Sequence, residues 1–127
     1  MARRRPGPTA EPEDIAQTLS RRLTAAARAE KRLGYGPLSA ELGLPSPRVQ
    51  ALAALLEAGM AADAEAGRPF LAAVMRARLR ALPARGFFEA ARALGRYDGP
   101  DEGPEAEAFH GAELARLRAA LSDAEGA

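Results

Sequence analysis

The stretch PLSAELGLPSPRVQAL, residues 37–52, constrains the fold of this chain more than any other. Pro37 suits the first turn of a short helix that ends at Leu42, and Gly43 supplies a residue free to turn sharply. Ser46 is a good N-cap and Pro47 a good first helical residue, so a second helix is expected from Pro47 to about Ala66, with Gly59 as its weakest point. Val49, Leu52, Leu56 and Met60 fall on one face of that helix. Five apolar positions, Leu38, Leu42, Leu44, Val49 and Leu52, have the spacing by which two helices pack across a tight turn. The small residues Ser39 and Ala40 lie where the second helix crosses the first. This is the spacing of a helix-turn-helix.

The rest of the chain is read around that pair. A leading helix is expected from about Pro12 to Leu33, with acidic Glu11, Glu13 and Asp14 at its start, where they favour the helix dipole. Ile15, Leu19, Leu23 and Ala26 form its inner stripe, and Gly34 ends it. The segment RPFLAAVMRARLRALPARGFF is ambiguous: propensity favours helix up to Leu82, whereas Phe70, Ala72 and Val74 alternate with Leu71, Ala73 and Met75 as in a strand buried on both faces. FFEAARALG reads as a short helix closed by Gly95. A last helix runs from about Glu105 to Leu121, with Phe109, Leu114, Leu117 and Leu121 inward. Three parts are expected: a flexible basic arm at 1–12, a body at 13–97, and an acidic loop and C-terminal helix at 98–127.

Composition narrows the class. Alanine supplies 32 of the apolar residues, and Val, Ile and Thr together number six. One modest core and a mainly α fold follow, with little material for a large sheet. There is no cysteine and one histidine, His110. Disulfides, thiol chemistry, zinc ribbons and histidine cages are therefore excluded. No apolar run approaches membrane-spanning length, and no apolar stretch follows the basic start as in a secretory signal, so the expected location is cytoplasmic. No phosphate-binding glycine loop, paired carboxylate site or nucleophile arrangement is present, and an enzyme is not expected. His110 has no nucleophile beside it in its stretch and reads as structural. The acidic loop DGPDEGPEAE lacks the ligand spacing of a calcium site.

Residues 33–97 resemble a winged helix-turn-helix module of uncharacterised bacterial proteins, some of which carry a nuclease domain beside it. The resemblance rests on GYGPLSAELGLPSPRVQALAALLEA, GRPFLAAVM and LPARGFF. More remotely the layout is similar to the DNA-binding half of the alkyltransferase family, whose reactive cysteine has no counterpart here. The module implies a strand at about Phe70–Arg76, an Arg-rich turn and a return from Leu82 to Phe87. The expected architecture is thus mainly α: a winged helix-turn-helix with a small β-hairpin wing and flanking N- and C-terminal helices.

The function expected from these features is binding of double-stranded DNA, as a small regulator. The outward residues at the start of the second helix, Ser46, Arg48, Gln50 and Ala51, would face the bases. Arg48 suits guanine and Gln50 adenine. Arg76, Arg78 and Arg80 on the wing would track phosphates. Residues 1–97 hold 16 basic and 9 acidic side chains, whereas residues 98–127 hold 2 and 8, an asymmetry suited to a polyanion partner. The alternative is a protein-interaction module or homodimer on the same frame, using the Ala-rich helix face with Leu55 as an outward anchor. No cofactor, membrane or small-molecule substrate is evident from the sequence.

Overall fold

The structure, a computed structural model, describes residues 12–126, with side chains from 15 to 123. The basic arm with Arg3, Arg4 and Arg5 lies outside the described residues. Five α-helices dominate: α1 Pro12–Ala29, α2 Tyr35–Glu41, α3 Arg48–Ala66, α4 Arg85–Ala93 and α5 Pro104–Gly126. A 3₁₀ turn spans Leu71–Val74, and two short strands, β1 Leu33–Gly34 and β2 Met75–Arg76, pair in parallel. The fold is mainly helical.

Helix α1 stops four residues before the expected end at Leu33. Glu30 takes a left-handed conformation (φ 56°), Lys31 N donates to Ala26 O at 2.8 Å and Glu30 N to Ala27 O at 3.2 Å. These bonds satisfy the last carbonyls, so the helix closes without glycine and frees Leu33 and Gly34 to form β1. Gly43 makes the equivalent closure after α2, at φ 65°, with Leu44 N donating to Ser39 O at 3.2 Å. That closure turns the chain sharply enough for Leu44 to bury beside Leu38 and Leu52.

Helix α3 begins one residue later than expected. Pro47, rather than Ser46, is its N-cap, since Pro47 O accepts the first helical bond, from Ala51 N at 3.1 Å. Gly59 does not break the helix, which runs on to Ala66. Leu52, Leu56 and Met60 are buried as expected, but Val49 is 47% exposed. Leu55, expected to point outward, is half-buried against the core.

The region expected to form the wing folds differently. Phe70–Arg76 is not one strand; it is the 3₁₀ turn followed by two strand residues. Met75 pairs with Leu33 and Arg76 with Gly34, in parallel. The return from Leu82 to Phe87 adds no strand to the sheet, and α4 starts at Arg85, two residues before Phe87. Among the described residues the hairpin is reduced to a loop closed by Ala77 N donating to Leu82 O at 2.8 Å. Two features explain this. LAAVM offers a single β-branched residue, and Pro83 in the return leg has no N–H for a ladder.

The core is centred on that 3₁₀ turn. Ala72, Ala73, Val74 and Met75 are buried, with α1, α3 and α5 packed around them. The two small alanines let the helices approach closely. Phe87 and Phe88 are both core and meet edge to face at 5.1 Å. Phe109 of α5 stacks on Tyr97 at 4.6 Å and also borders both phenylalanines. The buried stripe of α5 is Ala106, His110, Glu113 and Leu117. Phe109 and Leu114 flank it, and Leu121 is only half-buried outside the core cluster.

Candidate nucleic-acid interface

Helices α2 and α3 pack against each other through Leu38, Leu44 and Leu52. Ser39 is buried at the crossing and donates its hydroxyl to Gly36 O at 2.8 Å, which satisfies the one polar group there. The short helix is tied down at both ends. At its end, Glu41 pairs with Arg22 of α1 through two bonds of 2.5 and 3.2 Å. At its start, the Tyr35 hydroxyl accepts the Ala84 N–H at 3.0 Å, linking α2 to the cap of α4. Burial raises the Tyr35 phenol pKa, so it stays protonated.

The expected contact residues are placed unevenly. Ser46, Arg48 and Gln50 are exposed at the start of α3. Ala51 is half-buried against the core and offers little to a base edge. Arg76 and Arg78 are exposed. Arg80 is half-buried and donates from Nη2 to Asp101 O at 3.1 Å, so it belongs to the folded loop rather than to a free phosphate-tracking row. Val49, Arg76 and Arg78 all border one groove of about 740 Å³. The first turns of α3 and the 76–79 turn thus face each other across a shared opening.

Most arginines elsewhere are engaged. Arg68 donates to Asp63, and Arg92 Nη1 lies 2.8 Å from Asp101 Oδ1, an ion pair without hydrogen-bond alignment. Arg96 covers the Phe70 ring at 4.3 Å and donates to Arg68 O. Arg48, Arg76 and Arg78, by contrast, make no hydrogen bond or ion pair among the described residues.

Two buried carboxylates, Glu113 and Asp63, escaped the sequence reading; His110, read there as structural, is buried beside them. Glu113 is 0% exposed; its Oε1 accepts the Phe70 N–H at 2.9 Å and its Oε2 accepts Arg116 Nη2 at 2.6 Å. Asp63 Oδ2 accepts the Leu71 N–H at 3.1 Å while Oδ1 accepts Arg68 Nε at 3.0 Å. Two carboxylates therefore hold two successive N–H groups at the entrance to the 3₁₀ turn. His110 donates from Nε2 to Ala73 O at 2.8 Å, within the same turn. Their work is structural: they place β2, and through it Arg76, against β1. Among the described residues no three His, Asp or Glu side chains converge as a metal site, and no described helix is long and apolar enough to cross a membrane.

The His110 imidazole has its pKa lowered, first by burial; the Ala73 bond opposes this and Arg32 adds to it. A lowered folded value means that the unfolded chain binds the proton more readily below the ordinary 6.5. The stabilisation is complete above that pH and is lost as the pH falls towards the folded value. Melting temperature should therefore level off above about pH 6.5 and decline below it, and His110→Gln should flatten the decline just under 6.5. Thermal melts of both chains across that window check this; equal slopes would remove His110 as the cause.

Comparison with protein-family models, with curated proteins and with solved structures finds no match to this chain.

Proposed function

We propose that this chain binds double-stranded DNA as a small cytoplasmic regulator. The start of α3 lies towards the major groove, and the loop after β2 stands in the place of a wing on the phosphates. The observation that carries this reading is the set of three exposed arginines, Arg48, Arg76 and Arg78, without internal partners, on two elements that border one opening. An unpaired guanidinium is free to form charge-assisted bonds with phosphate or to fork onto guanine. Arg48 and Gln50 are the residues suited to base edges, each good bidentate pair being worth about 1–3 kcal/mol of discrimination. With Ala51 turned inward, that reading surface is narrow. Phosphate contacts supply most of the affinity in this arrangement, and sequence preference is modest.

Fluorescence anisotropy with a short labelled duplex tests the proposal. Binding should be evident at about 50 mM salt and weaken steeply as salt rises. Arg76→Ala with Arg78→Ala should lower affinity for every sequence and reduce the salt slope by about two, close to 0.9 per lost phosphate contact. Arg48→Ala with Gln50→Ala should instead erode preference among sequences. A folded chain that binds no duplex at about 50 mM salt, where phosphate-driven affinity is high, ends the proposal.

A further inference from the structure

The groove between α3 and the turn after β2 is too large and too apolar to be explained by phosphate contact. Its volume of about 740 Å³ falls within the range of small-molecule sites. Small-molecule sites are concave and mostly apolar with a few polar groups, as this open groove is. Small residues make it. Gly34, Gly36 and Gly86 contribute no side chain to its walls, and Ala53 and Ala72 contribute only a methyl each. Leu56, Met60 and Phe87, all core residues, form its apolar lining.

The rim has a different chemistry. Arg76 and Arg78 border the opening, both exposed and both without a partner among the described residues. The acid at the groove, Glu57, is placed by the start of α4, where a Cβ on Gly86 would lie 3.7 Å from its Oε2. That position favours a carboxylate through the helix dipole. Val49 and Leu79, the two large apolar residues left exposed among the described residues, border the same groove. Leu79 is 92% exposed and held at φ 63°, a conformation unfavourable for a residue with a Cβ. Strained backbone of this kind gathers at ligand-contacting segments.

We propose that this groove binds a small amphipathic carboxylic acid, with its hydrocarbon body against Leu56, Met60 and Phe87 and its carboxylate on Arg76 and Arg78. The apolar walls exclude a bare phosphate as the preferred occupant, since most of the surface would be left uncovered. An uncharged hydrocarbon would leave both guanidinium groups without a partner. The site stands independently of DNA binding, although the two would compete for the same arginines.

Calorimetric titration of the full chain with decanoate, in the absence of DNA and below its micelle-forming concentration, tests the site. A Kd on the order of 10–100 μM is expected for an acid of this size. 1-Decanol should bind about tenfold more weakly, for want of the charge-assisted bonds. Arg76→Ala with Arg78→Ala should weaken decanoate by about tenfold and leave decanol nearly unchanged. Ala53→Phe, which fills the groove, should remove binding of both ligands and leave duplex binding largely intact. If Ala53→Phe does not fold, the arginine pair still decides, because both side chains are exposed. Absence of decanoate binding up to about 1 mM overturns the proposal. So does equal affinity for acid and alcohol, or binding indifferent to the arginine pair. A chain that binds duplex but not decanoate loses this inference alone.

Discussion

A chain ending at Asp98 should lose its cooperative melt. Helix α5 carries Leu117 and Ala106 into the core, and Phe109 closes the aromatic group formed with Phe87, Phe88 and Tyr97. Each large apolar side chain withdrawn from water is worth about 1.5–3 kcal/mol, and uncovering the surfaces they face costs a comparable amount. The polar losses add to this. Phe70 N–H would lose Glu113 and Ala73 O would lose His110, and both lie in buried residues. Against a total stability of about 5–15 kcal/mol for a domain, the body cannot retain its fold. Circular dichroism melting checks this. A sharp transition near that of the full chain would show that α5 is an appendage, and would leave the charge asymmetry between residues 1–97 and 98–127 as a matter of surface alone.

That asymmetry misleads when charge is read from sequence alone. Residues 98–127 carry a balance of −6, which reads as a solvated acidic tail. In the fold, Asp101 lies 3.5 Å from Arg85 and 2.8 Å from Arg92, its carbonyl receives Arg80, and Glu113 is buried. These groups hold the loop and the core together. Net charge reports on partners only after internal pairs are subtracted, and subtraction needs the structure. Arg48, at the start of the second helix, and Arg76 and Arg78, on the wing that the resemblance implies, remain without an internal partner among the described residues; Arg80 does not.

The helices were legible because their signals are local. Leu38, Gly43, Leu44 and Leu52 specify the α2–α3 turn through spacing and one left-handed glycine. The end of α1 was not legible, because Glu30 adopts a conformation that sequence assigns to glycine. Residues 70–87 were misread for a tertiary reason. Their backbone groups are satisfied by the Asp63 side chain and by Glu113, His110 and β1, the last three distant in sequence, so neither propensity nor alternation reports what they do. The stripe of α5 was misread similarly: a helical wheel turns His110 and Glu113 outward unless their buried partners are known. The groove was invisible because its size depends on glycines and alanines that come together from five separate segments.

Glu113→Ala should cost about 3–5 kcal/mol, the usual penalty for breaking a buried ion pair by removing one partner. The carboxylate has no solvent exposure and serves three groups at once: Phe70 N–H, Arg116 and, at 3.5 Å, Arg96. Arg116 is 56% exposed, so water and salt screen that pair and little of the loss comes from it. The larger share belongs to the Phe70 N–H, left in the core without an acceptor, and to Arg96, left over the Phe70 ring with its charge unanswered. Glu113→Gln separates these two losses. Its amide oxygen can still accept from Phe70, whereas its NH₂ would face the guanidinium groups. The glutamine chain should therefore recover about 1–2 kcal/mol relative to alanine, the worth of keeping a buried donor satisfied. Urea unfolding gives the comparison directly, provided the slope m is unchanged, since a shift in midpoint at constant m is a shift in stability. Glu89→Ala, at an exposed position on α4, should stay within about 0.5 kcal/mol and serves as the control. A loss below about 1 kcal/mol for Glu113→Ala would mean that water replaces the carboxylate at Phe70, and that β2 is held by its pairing with Leu33 and Gly34 rather than from α5.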